Sequence, residues 1–435
     1  MRFRSFALSL LVLLAIAAPA GAATRGLDVG FSDDLFTSAN ATDRAATLDA
    51  ARNTGAGFIR INVFWRSVAP TRPAVPRDPG DPAYRWSALD AGVGDAQARG
   101  LTVLLTLTGA PVWAEGPGRA RTAAPGTWKP SPRALGDFAR AAARRYPSVR
   151  HWQIWNEPNL DAHLTPQWTR TNGRRSAAAA QHYRRMLNAS YSALKAANPR
   201  SIVLVGGNAP YGDPPGLSRT RPVTFWSEVF KRRTNFDVFA HHPYSTQGPR
   251  RHALNRRDVS VPDVYRLTRL VRAAVRRGRV TPRRAKPLWI TELGWDSNPP
   301  DPAGVPAARH ADWLADAFYV LWRQRAAKIV WTFVRDQSPT AGFDVTYQSG
   351  VFLRSGEPKL AQRAFAFPVA CERIRGGRLR VWGKAPGPGG VALFRGSATV
   401  GRVTAGTNRV FLTTVSGRSG VEARAGAQTS LTCVP

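Results

Sequence analysis

Two glutamates stand shortly after short apolar segments of the chain. Glu157 lies in W-N-E-P-N, after the segment 151–154, and Glu292 lies in I-T-E-L-G-W, after the segment 288–290. Pro158 cannot donate to a sheet ladder, so the first segment is predicted to end as a strand at that point. One glutamate at a strand end is usually a solvated loop residue. Two in this context match the acid/base and the nucleophile of glycoside hydrolysis.

Taken together, the two motifs resemble those of the clan A glycoside hydrolases, over roughly residues 27–367. That clan is built on (β/α)8 barrels, whose functional residues lie at the carboxyl ends of the strands. The resemblance implies that Glu157 is the acid/base at the end of strand 4 and that Glu292 is the nucleophile at the end of strand 7. It also implies a retaining reaction, with the two carboxyl groups roughly 5 to 5.5 Å apart.

The same resemblance assigns five further residues to the substrate or to the nucleophile. Arg60 ends strand 2, where the clan places an arginine that keeps the nucleophile ionised. Asn156 matches the asparagine that hydrogen-bonds the sugar 2-hydroxyl, and Tyr244 matches the tyrosine that hydrogen-bonds the nucleophile. His242 is expected to contact a sugar hydroxyl. Trp331, at the end of strand 8, is expected to form an aromatic floor under the cleaved sugar.

The sequence disfavours metal and cofactor chemistry. The pair His241-His242 suggests a metal ligand set, but no acidic or cysteine partner stands at ligand spacing nearby. We therefore predict neither a metal ion nor a cofactor. For the family within the clan, the strand 3 end at 108–114 lacks the histidine usual in family 5, and its G-x-P-x-W-A pattern looks more like family 39.

Eight apolar segments alternate with helical segments between residues 23 and 367. Several of them are continuous apolar runs, which is typical of parallel strands covered on both faces. The loops that follow strands are longer than the links from helix to strand, so the elaborated face lies at the strand ends. The prediction is an α/β fold, a (β/α)8 TIM barrel, with a small C-terminal β-sandwich domain over 368–435.

The β-sandwich is predicted either to bind carbohydrate or to stabilise the barrel, and Trp382 alone is available there as a sugar platform, which favours stabilisation. Cys371 and Cys433 lie within this domain and are predicted to form a disulfide in an exported protein. Residues 1–22 combine arginines, an apolar stretch and a small-residue pattern at 20–22, which predicts a cleaved signal peptide and secretion. No membrane span is expected after its removal.

The chain is strongly basic, with 62 Lys and Arg against 28 Asp and Glu and a net charge of +34. This charge favours non-specific binding to anionic polymers, although an arginine-biased composition on solvated helices explains it more simply. No nucleic-acid-binding motif accompanies the arginines, so a specific nucleic-acid partner is not expected. Arginine pairs recur at 144–145, 174–175, 232–233, 250–251, 256–257, 276–277 and 283–284.

The sequence therefore predicts a secreted retaining glycoside hydrolase whose substrate is a polysaccharide or a glycoconjugate. The alternative from another class is a non-catalytic, cationic protein that binds carbohydrate or a cell surface on a barrel scaffold. Both glutamates and their neighbours are present, which favours the enzyme.

Overall fold

The computed structural model describes residues 24–435, so the predicted signal peptide at 1–22 lies outside the described residues. The barrel strands are β1 (Asp28–Ser32), β2 (Phe58–Phe64), β3 (Thr102–Thr108), β4 (His151–Ile154), β5 (Ile202–Val205), β6 (Phe239–His241), β7 (Leu288–Ile290) and β8 (Ala326–Thr332). They form one parallel sheet in the order β5-β4-β3-β2-β1-β8-β7-β6. Bridges from Leu204 to Val238 and from Asn208 to His241 join its two edges, so the sheet closes into a barrel.

Helices cover the outside of this barrel, and two of them begin after residues whose side chains cap a helix. The Asn40 side chain accepts from the amides of Thr42 and Asp43 at the first helix, and Ser131 precedes a helix that opens with Pro132. The helices are α1 (Ala41–Asn53), α2 (Trp65–Val68), α3 (Ser87–Ala98), α4 (Pro132–Arg145), α5 (Ala178–Ala197), α6 (Pro222–Val229), α7 (Tyr265–Arg276), α8 (Ala307–Arg323) and α9 (Leu360–Ala366).

The barrel interior changes from apolar to polar along the strands. Leu105 and Leu107 of β3 belong to the large core between strands and helices, because alternate side chains of a strand face opposite sides. Leu104 points the other way and packs in a separate interior cluster with Leu204, Val238 and Trp289. Further toward the carboxyl ends, the inward-facing side chains are polar. This order of interior layers places hydrogen-bonding groups just below the carboxyl ends of the strands.

The C-terminal domain consists of two antiparallel sheets packed on each other. Its strands are β9 (Val369–Ile374), β10 (Arg378–Lys384), β11 (Gly389–Arg395), β12 (Ala398–Ala405), β13 (Val410–Ser416), β14 (Glu422–Ala425) and β15 (Gln428–Thr429). One sheet has the order β9-β10-β13 and the other β12-β11-β14-β15. Leu379, Val381 and Leu393 pack between them. The predicted disulfide joins Cys371 and Cys433 within this core.

Trp382 anchors the β-sandwich on the barrel. Its side chain is fully buried, and its ring lies 5.8 Å from that of Tyr319 and 5.9 Å from that of Trp322, both on α8. Glu372 on β9 adds polar contacts, because it accepts from Tyr319 Oη across 2.6 Å and from Arg323 Nη1 across 2.7 Å. Trp382 is therefore not exposed as a sugar platform, which supports the stabilising role of this domain.

The predicted fold class, a (β/α)8 barrel with a C-terminal β-sandwich, is confirmed. Helix α9 ends at Ala366 and strand β9 begins at Val369, on either side of the predicted domain boundary. No helix in the part of the chain from 24 to 435 combines the length and the apolar character that a membrane crossing requires.

We expect Trp382→Ala to lower the free energy of unfolding by about 3 to 5 kcal/mol, because a large buried side chain leaves a cavity at the domain junction. Urea unfolding followed by fluorescence and circular dichroism measures this loss. The matched change Val434→Ala lies in the same domain at a side chain that is 63% exposed. It should change stability by less than about 0.5 kcal/mol. Similar stabilities for both variants would contradict an anchoring role for Trp382.

Candidate active site

The carboxyl ends of the barrel strands surround a cleft of about 630 Å³. Glu157 enters it from the turn after β4, and Glu292 enters it just beyond β7. Arg60, Asn156 and Tyr244 also line the cleft, so the fold brings these residues together from four different strands and their ends.

Arg60 points into the barrel interior from β2, and its side chain is fully buried. Nη1 donates to Glu292 Oε1 across 2.6 Å, and Nη2 donates to Asn156 Oδ1 across 2.8 Å. Nε donates to Thr106 Oγ1 at 2.9 Å and to Gln153 Oε1 at 3.2 Å. A guanidinium can only donate, so these contacts turn the amide oxygens of Asn156 and Gln153 toward Arg60.

A chain of hydrogen bonds runs from Gln153 to Glu157. Because Gln153 Oε1 faces the guanidinium, Nε2 of the same amide donates to Thr291 Oγ1 across 3.1 Å. The Thr291 hydroxyl proton is then free to donate to His242 Nε2, which lies 3.0 Å away. When His242 is neutral, its own proton therefore sits on Nδ1, which donates to Glu157 Oε1 across 3.1 Å.

The turn that carries Glu157 has an uncommon backbone conformation. Trp155 has a φ of 72° and Glu157 a φ of 37°, in the left-handed region that non-glycine residues rarely adopt. Surrounding contacts hold the turn, since the Glu157 amide donates to Gly207 O across 3.0 Å and Trp155 Nε1 donates to His163 O across 3.0 Å. Such conformations persist where neighbouring structure over-determines them, and here the turn presents Glu157 to the cleft.

Glu157 is held between two histidines. His242 Nδ1 is 3.1 Å from Oε1, and His163 Nε2 is 3.7 Å from Oε2. Burial raises the pKa of Glu157, but hydrogen bonds and positive charge from His163 and His242 outweigh it and lower the pKa to about 2. Burial by itself favours the protonated carboxyl that a general acid needs, and the two histidines oppose it.

Glu157, His242 and Glu292 each offer one ligand atom, and these atoms lie within 4.8 Å of one another. Among the described residues, this is a set that could coordinate a metal ion. The set was not recognisable in the sequence because only folding brings the three positions together. The fixed positive charge of Arg60, 2.6 Å from Glu292 Oε1, opposes a cation at this place.

The predicted aromatic floor at Trp331 is wrong. Trp331 is fully buried, and its Nε1 donates to Ser349 O across 2.7 Å. Alternation along β8 turns the ring toward α8, where it lies 5.7 Å from the ring of His310 and 6.3 Å from that of Phe318. The next residue, Thr332, faces the cleft instead.

The predicted contact between His242 and a sugar hydroxyl is also wrong. The ring is fully buried, and a Cβ built on Gly207 would lie only 2.1 Å from His242 Nε2. Glycine at that position is therefore what allows the strand 5 end to cover the ring. His242 acts on the carboxylates from behind and does not line the cleft.

Residues that the sequence did not single out also line the cleft, among them Asp34, His163 and Tyr347. Asp34 is open to the cleft and accepts from Gln337 Nε2 across 2.9 Å. Its pKa is raised, because desolvation outweighs the opposing hydrogen bond from Gln337 and the Glu292 charge adds to the rise. Tyr347 is 56% exposed. Their position in loops after predicted strands was the signal that could have marked them.

A closed barrel with two carboxylates at the ends of β4 and β7 defines the glycoside hydrolase class. The chain matches the cellulase family, glycosyl hydrolase family 5, over residues 22–333, and it belongs to that family. The family indicates a glycosidase. The G-x-P-x-W-A pattern after β3 therefore does not decide between families 5 and 39. A search of curated proteins found no match.

Several solved structures share this fold. A family 39 glycoside hydrolase from the gut symbiont Bacteroides cellulosilyticus WH2 superimposes with a TM-score of 0.61 at 16% identity, covering 90% of this chain and 79% of that chain. A glucosidase from Croceicoccus marinus gives 0.56 at 16% identity, covering 90% and 94%. A GH5_18 protein from Streptomyces cattleya in complex with GlcNAc gives 0.53 at 18% identity, covering 79% and 80%.

His163→Gln is expected to extend activity toward higher pH. The general acid must carry its proton, so the alkaline limb of kcat/KM reports the pKa of Glu157. His163 lowers that pKa through its hydrogen bond and its charge, and the variant removes the charge. The alkaline limb for a glycoside with a poor leaving group should therefore move up by about one pH unit.

Parallel pH–rate profiles of wild type and variant measure this shift. His252→Gln is the control, because His252 pairs with Asp263 outside the cleft and its side chain is 63% exposed. Its alkaline limb should stay in place. An unchanged alkaline limb in His163→Gln, or one that moves to lower pH, would show that His163 does not set the protonation of Glu157.

Proposed function

We propose that the protein is a retaining glycosidase that cleaves O-glycosidic bonds by double displacement, with Glu292 as nucleophile and Glu157 as acid/base. The observation that carries this proposal is that one oxygen of each carboxylate lies within 4.8 Å of the other. A retaining pair is roughly 5 to 5.5 Å apart, whereas an inverting pair stands about 6.5 to 9.5 Å apart to hold a water molecule. The short separation supports the retaining pair.

In the first step, a Glu292 oxygen attacks the anomeric carbon while Glu157 gives its proton to the departing oxygen. Arg60 Nη1 holds Glu292 Oε1, and Tyr244 Oη donates to Oε2 across 3.1 Å, so the nucleophile has a fixed orientation. In the second step, Glu157 takes a proton from water, whose oxygen attacks the same carbon and releases Glu292 as carboxylate. Both carboxyl groups return to their starting states.

The cleft chemistry favours an uncharged sugar. The cleft is lined by the carboxyl groups of Asp34, Glu157, Glu292 and Asp296, which would repel a sugar carboxylate. The nearby positive charge of Arg60 is already bound to Glu292 and is not available to compensate it. Hydroxyl groups suit the same surface, since they donate to carboxylates. Because Arg60 occupies the Asn156 oxygen, Nδ2 of that amide is the donor left for a sugar hydroxyl.

Tyr347 is the aromatic platform that we propose in place of Trp331. Its ring lies 5.9 Å from that of Phe333, and the two rings form one side of the cleft. A sugar C–H face buries apolar area on such a ring.

We also infer that the protein is secreted. The support is the pattern of residues 1–22 together with the disulfide between Cys371 and Cys433, which suits an oxidising compartment. Sequencing the amino terminus of protein recovered from the medium tests this inference, and an intact Met1 in a cell-retained protein would contradict it.

The two glutamates are expected to fail differently when replaced. Glu292→Ala should lose activity on all glycosides by a factor of about 10⁴ or more, because no glycosyl-enzyme forms. Glu157→Ala should retain glycosylation by an activated aryl glycoside, which needs little protonation, and should then deglycosylate slowly. Added azide should rescue Glu157→Ala with retained configuration. With Glu292→Ala, azide should give the inverted glycosyl azide.

Nuclear magnetic resonance of the product anomers distinguishes these outcomes. Glu357→Ala is the control, because Glu357 is exposed and lies outside the cleft, and its turnover should equal that of wild type. An inverted azide product from Glu157→Ala would exchange the two roles. Full activity in both cleft variants would place the chemistry elsewhere. No hydrolysis of any glycoside by wild type would leave the carbohydrate-binding alternative.

Tyr347→Ala is expected to raise KM for a glycoside by about three- to tenfold with little change in kcat, since the platform contributes to binding in both states. Val345→Ala tests the same loop at a side chain that is 67% exposed and does not line the cleft, and it should leave KM unchanged. Steady-state kinetics of both variants measure the effect. Equal KM values in wild type and Tyr347→Ala would remove the platform from the site.

A further inference from the structure

A basic groove of about 770 Å³ lies on the outer wall of the barrel, between α5 and the segment that follows α6. We call it the arginine groove. No residue of the arginine groove lines the catalytic cleft, and none of its lining residues is acidic or aromatic. It is lined by Gln181, Arg184, Arg185, Lys231, Arg232, Arg233 and Arg279.

Neutral acceptors hold two of these arginines in place. Arg184 donates from Nε to Gln181 Oε1 and from Nη1 to the carbonyl oxygen of Arg233, both at 3.4 Å. Arg185 Nη2 donates to His182 Nδ1 across 3.0 Å, while His182 Nε2 donates to Pro130 O across 2.8 Å. Burial lowers the pKa of His182 to about 4, so the ring is a neutral acceptor at neutral pH. The guanidinium groups are thus positioned without losing their charge.

The positive charge of the groove has little local compensation. Lys231 pairs with Glu228 across 2.6 Å, but within residues 24–435 the five groove arginines form no salt bridge. Some arginines elsewhere are paired, for example Arg250 with Asp316 across 2.8 Å. The pKa of Arg184 is lowered by burial and by the charges of Arg185 and Arg232, so like charges repel one another here. A bound anion relieves that repulsion.

We propose that the arginine groove binds an anionic polysaccharide through its carboxylate groups. Guanidinium forks match carboxylates in geometry and charge. The groove offers no aromatic ring for base stacking, which disfavours single-stranded nucleic acid. The choice of a polysaccharide rests on the glycosidase activity proposed above. The cleft favours uncharged sugars, so the groove would hold acidic stretches of a mixed polymer while the cleft cleaves neutral ones.

The test measures binding of the full protein to immobilised polygalacturonate, with dextran as the neutral polymer and double-stranded DNA as a competing polyanion. The groove variant carries Arg185→Gln, Arg232→Gln and Arg233→Gln, all at exposed side chains. The control variant carries Arg256→Gln, Arg354→Gln and Arg418→Gln, which are exposed, lie outside the groove and remove the same charge. Thermal unfolding checks that both variants are folded.

We expect wild type and the control variant to bind polygalacturonate alike at about 0.1 M salt, and the groove variant to bind about tenfold more weakly. Dextran should not be bound. Equal weakening in both variants would overturn the proposal, because net charge alone would then explain binding. So would an absence of polygalacturonate binding by wild type, or tighter binding of DNA that depends on the same three arginines.

Turnover of a small aryl glycoside separates this proposal from the proposed function. The groove variant should hydrolyse it at the wild-type rate, since no groove residue lines the cleft. Hydrolysis without polymer binding would overturn only the binding proposal for the arginine groove. Polymer binding without hydrolysis of any glycoside would remove the catalytic proposal and leave the groove as the binding surface.

Discussion

A buried positive charge at Arg60 is the constraint on which the geometry of the cleft depends. Removing a guanidinium from water is costly unless oxygens satisfy its donors, and here they come from β3, from β4 and its following turn, and from the end of β7. Those oxygens meet only when the strands close in this register. The same contacts orient two amides and a carboxylate. The need to satisfy the hydrogen-bond donors of one buried guanidinium therefore fixes several functional groups at once.

The two carboxylates differ because Arg60 contacts only one of them. Glu292 receives hydrogen bonds from Arg60 and Tyr244, whereas Glu157 faces His163. His242 Nδ1 lies near both, 3.1 Å from Glu157 Oε1 and 3.4 Å from Glu292 Oε2. A guanidinium stays charged at any working pH, while an imidazole gains and loses its proton. Glu292 therefore has a permanent cation in direct contact, and Glu157 does not. This asymmetry suits a pair in which one member must hold a proton and the other must not.

Strand ends were predictable and side-chain directions at those ends were not. Parallel apolar runs imply that their carboxyl ends meet, which is why Glu157 and Glu292 could be grouped in advance. Arg60 does not end strand 2 as predicted, because β2 continues to Phe64, and its long side chain reaches Glu292 from within the strand. The predictions for Trp331 and His242 were wrong because a shift of one residue along the chain turns a side chain from the cleft to the interior. The direction depends on packing, against α8 for Trp331 and against Gly207 for His242. The loop residues that line the cleft carry no periodicity.

The catalytic cleft and the arginine groove carry local charges of opposite sign. The cleft gathers four carboxylates around a single arginine in a chain whose net charge is +34, so its local sign is opposite to that of the whole. Water and salt screen charges beyond about 10 Å at ordinary ionic strength, so each surface presents its own sign to a ligand. An anionic chain drawn to the arginine groove would not be drawn into the cleft. Uncharged sugars enter that cleft through hydrogen bonds and ring contacts, which depend little on net charge. Basic composition and an acidic catalytic centre are therefore compatible in one protein.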